Sequence, residues 1–192
     1  MFAKVKKHVG LVNHFEGLRF KKWLDNHAYE FLENVGLKTG QVVLDFGCGA
    51  GTYAISAAEL VGESGSVYAL DIDKNALTKL EKKAERYGLK NIIRIDAPEE
   101  GDIPLESESM DFILLIDVLH EIKDRDKLLE KLYRLLKRGG LLIVYPMHID
   151  GEEIKRIATE KGLVLKEKKF NRHIFVFTKT NQLIMDYRLG FI

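Results

Sequence analysis

A single cysteine, Cys48, is all the thiol chemistry the 192-residue chain holds. No intramolecular disulfide can form, and one thiolate cannot build a cysteine-based zinc site. Long apolar runs are missing as well. The longest, Phe112 to Ile116 and Leu141 to Tyr145, suit strands and fall far short of a bilayer span. The opening residues, MFAKVKKHVG, carry no apolar segment of the secretory type, so cytoplasm is the expected location. Repeats, low-complexity tracts and Pro/Gly/Ser linkers are absent too. One domain is expected, since a chain of this length buries roughly 70% of its unfolded surface on folding.

Net charge is only +1, but it is unevenly spread. Met1 to Lys22 has six Lys/Arg and one acid, Leu163 to Ile192 has six and two, and Asp96 to Asp111 has seven acids and no Lys/Arg. Solvated loops and helix faces account for this pattern. A sharper alternative sets basic chain ends around an entrance, favouring an anionic substrate or a nucleic acid. Composition leaves both open.

Short β-type runs alternate with helical patterns, which indicates a parallel α/β sheet. Phe20, Trp23, Leu24, His27, Phe31, Leu32 and Val35 recur at helical spacing and Gly36 is placed to end that helix. Strands are expected at Val42 to Phe46, up to Asp71, at Asn91 to Ile95, at Asp111 to Ile116 and at Leu141 to Tyr145. Helices are expected from about Gly51 to Val61, after a cap at Asp73, over the stripe Leu128, Leu129, Leu132, Leu135, Leu136 up to Gly139-Gly140, and from Glu152 to Lys161. The final β-runs, LVLKEKKF and HIFVFTK, are joined by Asn171-Arg172, too short for a helical crossover, so they must run antiparallel. Ligands of such a doubly wound fold lie beyond the carboxyl ends of its strands.

At one such end stands QVVLDFGCGAGTYA, Gln41 to Ala54. Gly47, Gly49 and Gly51 open the helix that follows, and Asp45 sits just before them. Glycine admits positive φ and close approach of a ligand to the backbone. A strand–helix turn packed for its own sake remains the plain alternative. A phosphate-cradling loop needs Lys-Ser/Thr after the last glycine, whereas Thr52-Tyr53 follows here. The dinucleotide fingerprint G-x-G-x-x-G also differs from this G-x-G-x-G. A carboxylate at the lip suits a cationic ligand better than a pyrophosphate.

VLDFGCGAGTYA resembles the first motif of the class I S-adenosylmethionine-dependent methyltransferases, and the order of elements is similar to that family over roughly Gly36 to Lys179. The resemblance implies a seven-stranded, mostly parallel α/β sheet of Rossmann-like type, in the order 3-2-1-4-5-7-6 with strand 7 antiparallel. It implies S-adenosylmethionine as cofactor. Asp45 would face the ammonium, directly or through water, Gly47, Cys48, Gly49 and Gly51 would lie along the methionyl part, and the helix start near Gly51 would offer amides to the carboxylate. Asp71 would accept from the ribose hydroxyls, as it would from those of NAD. Ile72 would press on the adenine, with Asp96 and the amide of Ala97 at its edge. An ordinary strand-end role for Asp71 and helix capping by Asp96 are the bland alternatives.

Methyl transfer is an in-line displacement in which alignment can supply on the order of 7–11 kcal/mol. A base is needed only where the acceptor must lose a proton. By resemblance, the segment LLIDVLHEIKD passes beneath the reactive methyl, bringing Asp117 near the donor and His120 to the rim as a candidate base, with Glu121 beside it. Packing or capping by His120 is the competing reading. Methylation of the amino group of adenine or glutamine lacks its Asn/Asp-Pro-Pro-Tyr/Phe motif, and cysteine-relay chemistry lacks its thiols. Tyr145-Pro146-Met147-His148 ends strand 5 on the same cleft.

The expected outcome is methyl transfer to a small acceptor, by resemblance in the ubiquinone/menaquinone-biosynthesis-like branch. RNA methylation, a cofactor-binding regulator without turnover and an NAD-linked oxidoreductase are its rivals. The expected organisation is residues 1–36 as a helical segment and candidate substrate cover, 37–180 as the cofactor domain, and 181–192 as a tail that folds back or docks on a second subunit.

Overall fold

The computed structural model describes residues 16–97 and 102–180. The basic start with His8, His14 and Phe15, and the tail NQLIMDYRLGFI, lie outside the described residues, as do the readings placed on them.

Helix α1 (residues 16–26) and helix α2 (Ala28–Asn34) lead into strand β1 (Val42–Phe46). Next come α3 (Thr52–Val61), β2 (Ser66–Asp71), α4 (Lys74–Tyr87), β3 (Ile92–Asp96) and β4 (Met110–Ile116). A short 3₁₀ turn (Leu119–Glu121) precedes α5 (Arg125–Leu135), β5 (Leu136–Tyr145), α6 (Gly151–Glu160) and the hairpin β6 (Leu163–Lys169) and β7 (Ile174–Lys179). The seven strands form one sheet in the order β3-β2-β1-β4-β5-β7-β6. β1 to β5 pair in parallel, and β7 runs antiparallel to both β5 and β6. The resemblance implied this arrangement.

Side-chain alternation along the central strands explains why helices cover both faces. Val43, Phe112, Leu114, Ile143 and Val176 point into a core closed by α1 to α4 through Leu24, Phe31, Ala54, Ala57, Leu77 and Leu80. Their neighbours Leu44, Ile113, Leu115, Leu142, Val144 and Phe177 point the other way, onto Leu129, Leu132, Ile154 and Ile157 of α5 and α6. Successive strand residues face opposite sides, so a strand buried on both faces reads as a continuous apolar run.

Local differences from the sequence reading have physical causes. The expected first helix is broken at His27, which leaves helical geometry (φ −125°, ψ 33°). Trp23, on its presumed apolar face, is 37% exposed and stacks on the His27 ring. The α5 stripe ends at Leu135 and not at the glycine pair, because Leu136 turns extended and pairs with Met110 at a bulge in the β4–β5 ladder. Both pairing residues are buried, which outweighs the helical preference of Leu136. Gly139 (φ +76°) then sits within β5.

Helices α1 and α2 are tied to β5 and to the β6–β7 hairpin. The Tyr145 hydroxyl donates to the Gly17 carbonyl at 2.9 Å, and Lys169 Nζ to the Asn34 carbonyl at 2.5 Å. Phe20 of α1 stacks on His173 and meets Tyr145 edge-on.

Candidate active site

The carboxyl ends of β1, β2, β3 and β4 each bring an aspartate to one rim: Asp45, Asp71, Asp96 and Asp117. Asp45 lies within β1, is only 2% exposed, and its Oδ2 has no hydrogen-bond partner. Burial pushes its carboxyl up to about 7, with the Ala54 amide pulling downward and the Asp71 charge adding to the rise. A carboxylate in that position calls for a cationic or donating partner.

The loop that follows is pinned. The amides of Gly47 and Cys48 both donate to the Leu70 carbonyl, at 2.8 and 3.0 Å. A Cβ on Gly47 would come within 2.5 Å of Val118, and one on Gly51, which lies at φ +84° as the N-cap of α3, would run into Leu80. Packing therefore demands these two glycines. Gly49 is different: nothing stands within 4 Å of where its Cβ would be. Its bare backbone faces open space, as a ligand-facing residue should. Cys48 is buried, and burial first, then the charges of Asp45 and Asp71, push its thiol well above the ordinary range. It fills space as an unreactive thiol.

Asp71 is fixed by two backbone donors, Gly49 N to Oδ2 at 2.7 Å and Asp73 N to Oδ1 at 2.9 Å. Each carboxylate oxygen retains a lone pair. Beyond it Ile72 is 69% exposed, an uncovered apolar side chain at the strand end. Asp73 caps α4 through the amides of Asn75 and Ala76. Asp96 is gripped by the Arg94 fork, Nε to Oδ1 and Nη2 to Oδ2 at 2.5 and 3.2 Å, which holds its carboxyl below the usual carboxylate range. The Ala97 amide is committed to the Asp71 carbonyl at 2.9 Å, so the sheet ladder already uses it.

On the β4 side, Asp117 adopts φ +55°, an uncommon conformation for a non-glycine residue. Its amide donates to the Tyr145 carbonyl at 3.2 Å, tying the ends of β4 and β5 together. Asp117 Oδ1 is shielded from solvent and has no hydrogen-bond partner. His120 Nδ1 stands 3.6 Å from it and His148 Nε2 3.9 Å, while the two imidazoles meet edge to face at 4.8 Å. Buried Leu119 and the bond from Arg125 Nε to the Leu119 carbonyl anchor the turn that carries His120. Glu121 Oε1 lies 3.7 Å from His120 Nε2.

Next to this rim a cavity of about 350 Å³ opens between the end of β5, the start of α6 and the β6–β7 turn, lined by Tyr145, Met147, Phe175, His173, Lys168 and Arg172 among others. Acids Glu16, Asp150 and Glu152 line it as well, and Lys168 is paired with Glu152 at 2.8 Å. Sequence reasoning missed Asp25 and Tyr53, whose hydroxyl donates to Asp25 Oδ1 at 2.7 Å. Burial is the main cause raising the Tyr53 phenol, Asp25 comes next, and the charges of Asp45 and Asp117 contribute. No local pattern announces a pair 28 residues apart. It exists because α1 lies across the start of α3.

A methyltransferase-domain family model matches residues 37–182, the whole sheet with its glycine loop. The chain belongs to the class I S-adenosylmethionine-dependent methyltransferases. A solved S-adenosylmethionine-dependent methyltransferase from Aquifex aeolicus is 28% identical with a TM-score of 0.70, covering 84% of this chain and 96% of that one. A demethylmenaquinone methyltransferase from Geobacillus sp. (strain WCH70) is 30% identical over 144 residues, 74% of this chain. A ubiquinone/menaquinone biosynthesis C-methyltransferase from Haemophilus ducreyi is 28% identical over 152 residues. The chain spans 59% of the length of each of these two relatives. Among the described residues no helix is long and apolar enough to cross a membrane.

The residues at the rim fit the family's cofactor, S-adenosylmethionine. It carries an ammonium and a sulfonium, which suit the unpartnered oxygen of Asp45 and the negative rim, and a ribose diol, which suits the fixed carboxylate of Asp71. It has no phosphate, consistent with a loop without a P-loop lysine.

Proposed function

We propose that the protein moves a methyl group from S-adenosylmethionine to a low-molecular-weight acceptor. The observation that carries this reading is the buried Asp45 oxygen without a partner beside a glycine backbone open to solvent at Gly49. When bound, the cofactor supplies an electrophilic methyl on a sulfonium. Asp45 answers its ammonium, directly or through water, and Gly47, Cys48, Gly49 and Gly51 lie along its methionyl part. Asp71 accepts from the ribose hydroxyls, Ile72 gives the adenine an apolar face, and Asp96 accepts at its amino edge while keeping Arg94, since a carboxylate has capacity for both. The Ala97 amide already donates its hydrogen to the Asp71 carbonyl, so Ala97 contributes shape only.

Asp117 and His120 sit at the acceptor side. Where the acceptor must lose a proton, His120 accepts it, with the Asp117 carboxylate 3.6 Å from its Nδ1. The aromatic and Met lining of the neighbouring cavity, together with the quinone-pathway names of the curated relatives, supports an aromatic acceptor. Three acids, Glu16, Asp150 and Glu152, stand against Lys168 and Arg172 in that lining, so its charge does not favour an anionic acceptor over a neutral one.

The test is calorimetry with S-adenosylmethionine and with NADH, then transfer of labelled methyl into fractionated small molecules and into RNA. Binding of the former alone, with label in an apolar aromatic fraction, is expected. Uptake of NADH in place of S-adenosylmethionine would overturn the cofactor, label confined to RNA would overturn the acceptor, and binding without any transfer would leave a regulator.

A further inference from the structure

Asp117, His120 and His148 bring one carboxylate and two imidazoles to a point, each offering a ligand atom, with all three atoms within 4.8 Å of one another. They come from two different strand ends, and the Asp117 Nα–Tyr145 carbonyl bond fixes those ends side by side. The carboxylate oxygen that points at both rings is shielded from water and accepts no hydrogen bond. Its separations from the ring nitrogens, 3.6 and 3.9 Å, are too long for hydrogen bonds. They are close to what a shared ion requires. Metal bonds of about 2.1 Å put adjacent ligand atoms roughly 3.0–3.4 Å apart, so small side-chain rotations suffice. Both imidazoles are one-third exposed, 34% and 33%, which leaves room for such rotation and for other ligands.

We propose that Asp117, His120 and His148 form a binding site for one divalent transition-metal ion at the acceptor side of the cleft. Two imidazoles and one carboxylate suit zinc, iron(II), cobalt or manganese, and three protein ligands leave positions open. Magnesium and calcium, which prefer all-oxygen shells, are disfavoured. Both rings are partly exposed, so an acceptor that reached such an ion would be one with a hydroxyl or enolate oxygen. That last point rests on the methyl-transfer reading, whereas uptake of the ion does not. A bound ion also takes the His120 ring nitrogen, so ligand and proton acceptor are exclusive roles for it.

Chelator-stripped protein titrated with Co²⁺ decides the matter, followed by calorimetry and by the visible bands of the bound ion. One equivalent is expected, with affinity at least tenfold weaker in His148→Ala and in Asp117→Asn and unchanged in His27→Gln, a histidine elsewhere on the surface. Matched thermal unfolding checks that the variants fold. No uptake, or uptake that survives His148→Ala or is lost equally in His27→Gln, would overturn the site. Cofactor binding without ion uptake would sink this proposal alone, and ion uptake without cofactor binding would sink the methyltransferase reading alone.

Discussion

The two halves of the cleft treat their aspartates in opposite ways. On the β1–β2 side, Asp71 is satisfied before any ligand arrives, with a backbone amide on each oxygen and a loop pinned to Leu70. On the β4–β5 side, Asp117 has a left-handed backbone and a buried oxygen without a donor. One half is held in place by its own backbone, as the proposed cofactor role requires, and the other has an acceptor oxygen without a donor. Asp45, at the seam, shares features of both. Its strand position is fixed, and its outer oxygen is not.

Substitutions can break this contrast. The largest effect is expected from Gly51→Ala, on the preorganised side. A side chain there combines left-handed strain with collision against Leu80, and the two together cost roughly 2–5 kcal/mol. Gly139→Ala, at φ +76° with nothing within 4 Å, carries the strain alone, about 1–2 kcal/mol. Urea unfolding of both variants reads the difference. Equal losses would mean that Leu80 moves aside freely.

On the other side, His120→Ala should lower turnover by about a hundredfold while S-adenosylmethionine affinity holds, the scale of a lost proton acceptor. Full turnover in steady-state assays would leave His120 a structural role only. Asp71→Ala should weaken cofactor affinity by about ten- to a hundredfold, or roughly 1.5–3 kcal/mol, as for hydrogen bonds to a charged group. An unchanged dissociation constant would remove Asp71 from the site.

A further test concerns the seam. Folded Asp45 keeps its proton up to about 7, against 3.8 for the ordinary carboxyl, so between those values the native state binds more protons than the unfolded one. Stability therefore falls as pH rises through that window. A cationic ligand favours the ionised form, so its affinity should weaken several-fold from pH 8 to pH 6. Asp45→Asn should flatten both slopes, in chemical unfolding and in calorimetry. Slopes that persist in the variant would assign them to another group.

The contrast also explains what could be read from the chain in advance. Strands buried on both faces announce themselves as apolar runs, and a glycine loop must be contiguous, so the sheet and the Asp45 to Gly51 segment were legible. The position of Asp71 at a strand end was legible too, whereas its ribose role came only from the resemblance. The Arg94 grip on Asp96 and the use of the Ala97 amide by the ladder were not legible, since both depend on register between neighbouring strands. His148 was visible only as one residue of a strand-end segment. Its meeting with Asp117 and His120 depends on how two loops fold over adjacent strands. The break at His27 was hidden because the apolar spacing runs through it without interruption.

The Tyr145–Gly17 and Lys169–Asn34 bonds join residues 128 and 135 positions apart, and Phe20 and Trp23 rest on Phe170 in the last hairpin turn. During synthesis at roughly 5–20 residues per second, the first helix thus leaves the ribosome on the order of ten seconds before its clasp exists. Until then Phe31, which packs on Phe170, lacks part of its cover. The molecule closes like a buckle, and only when its final strands have been made.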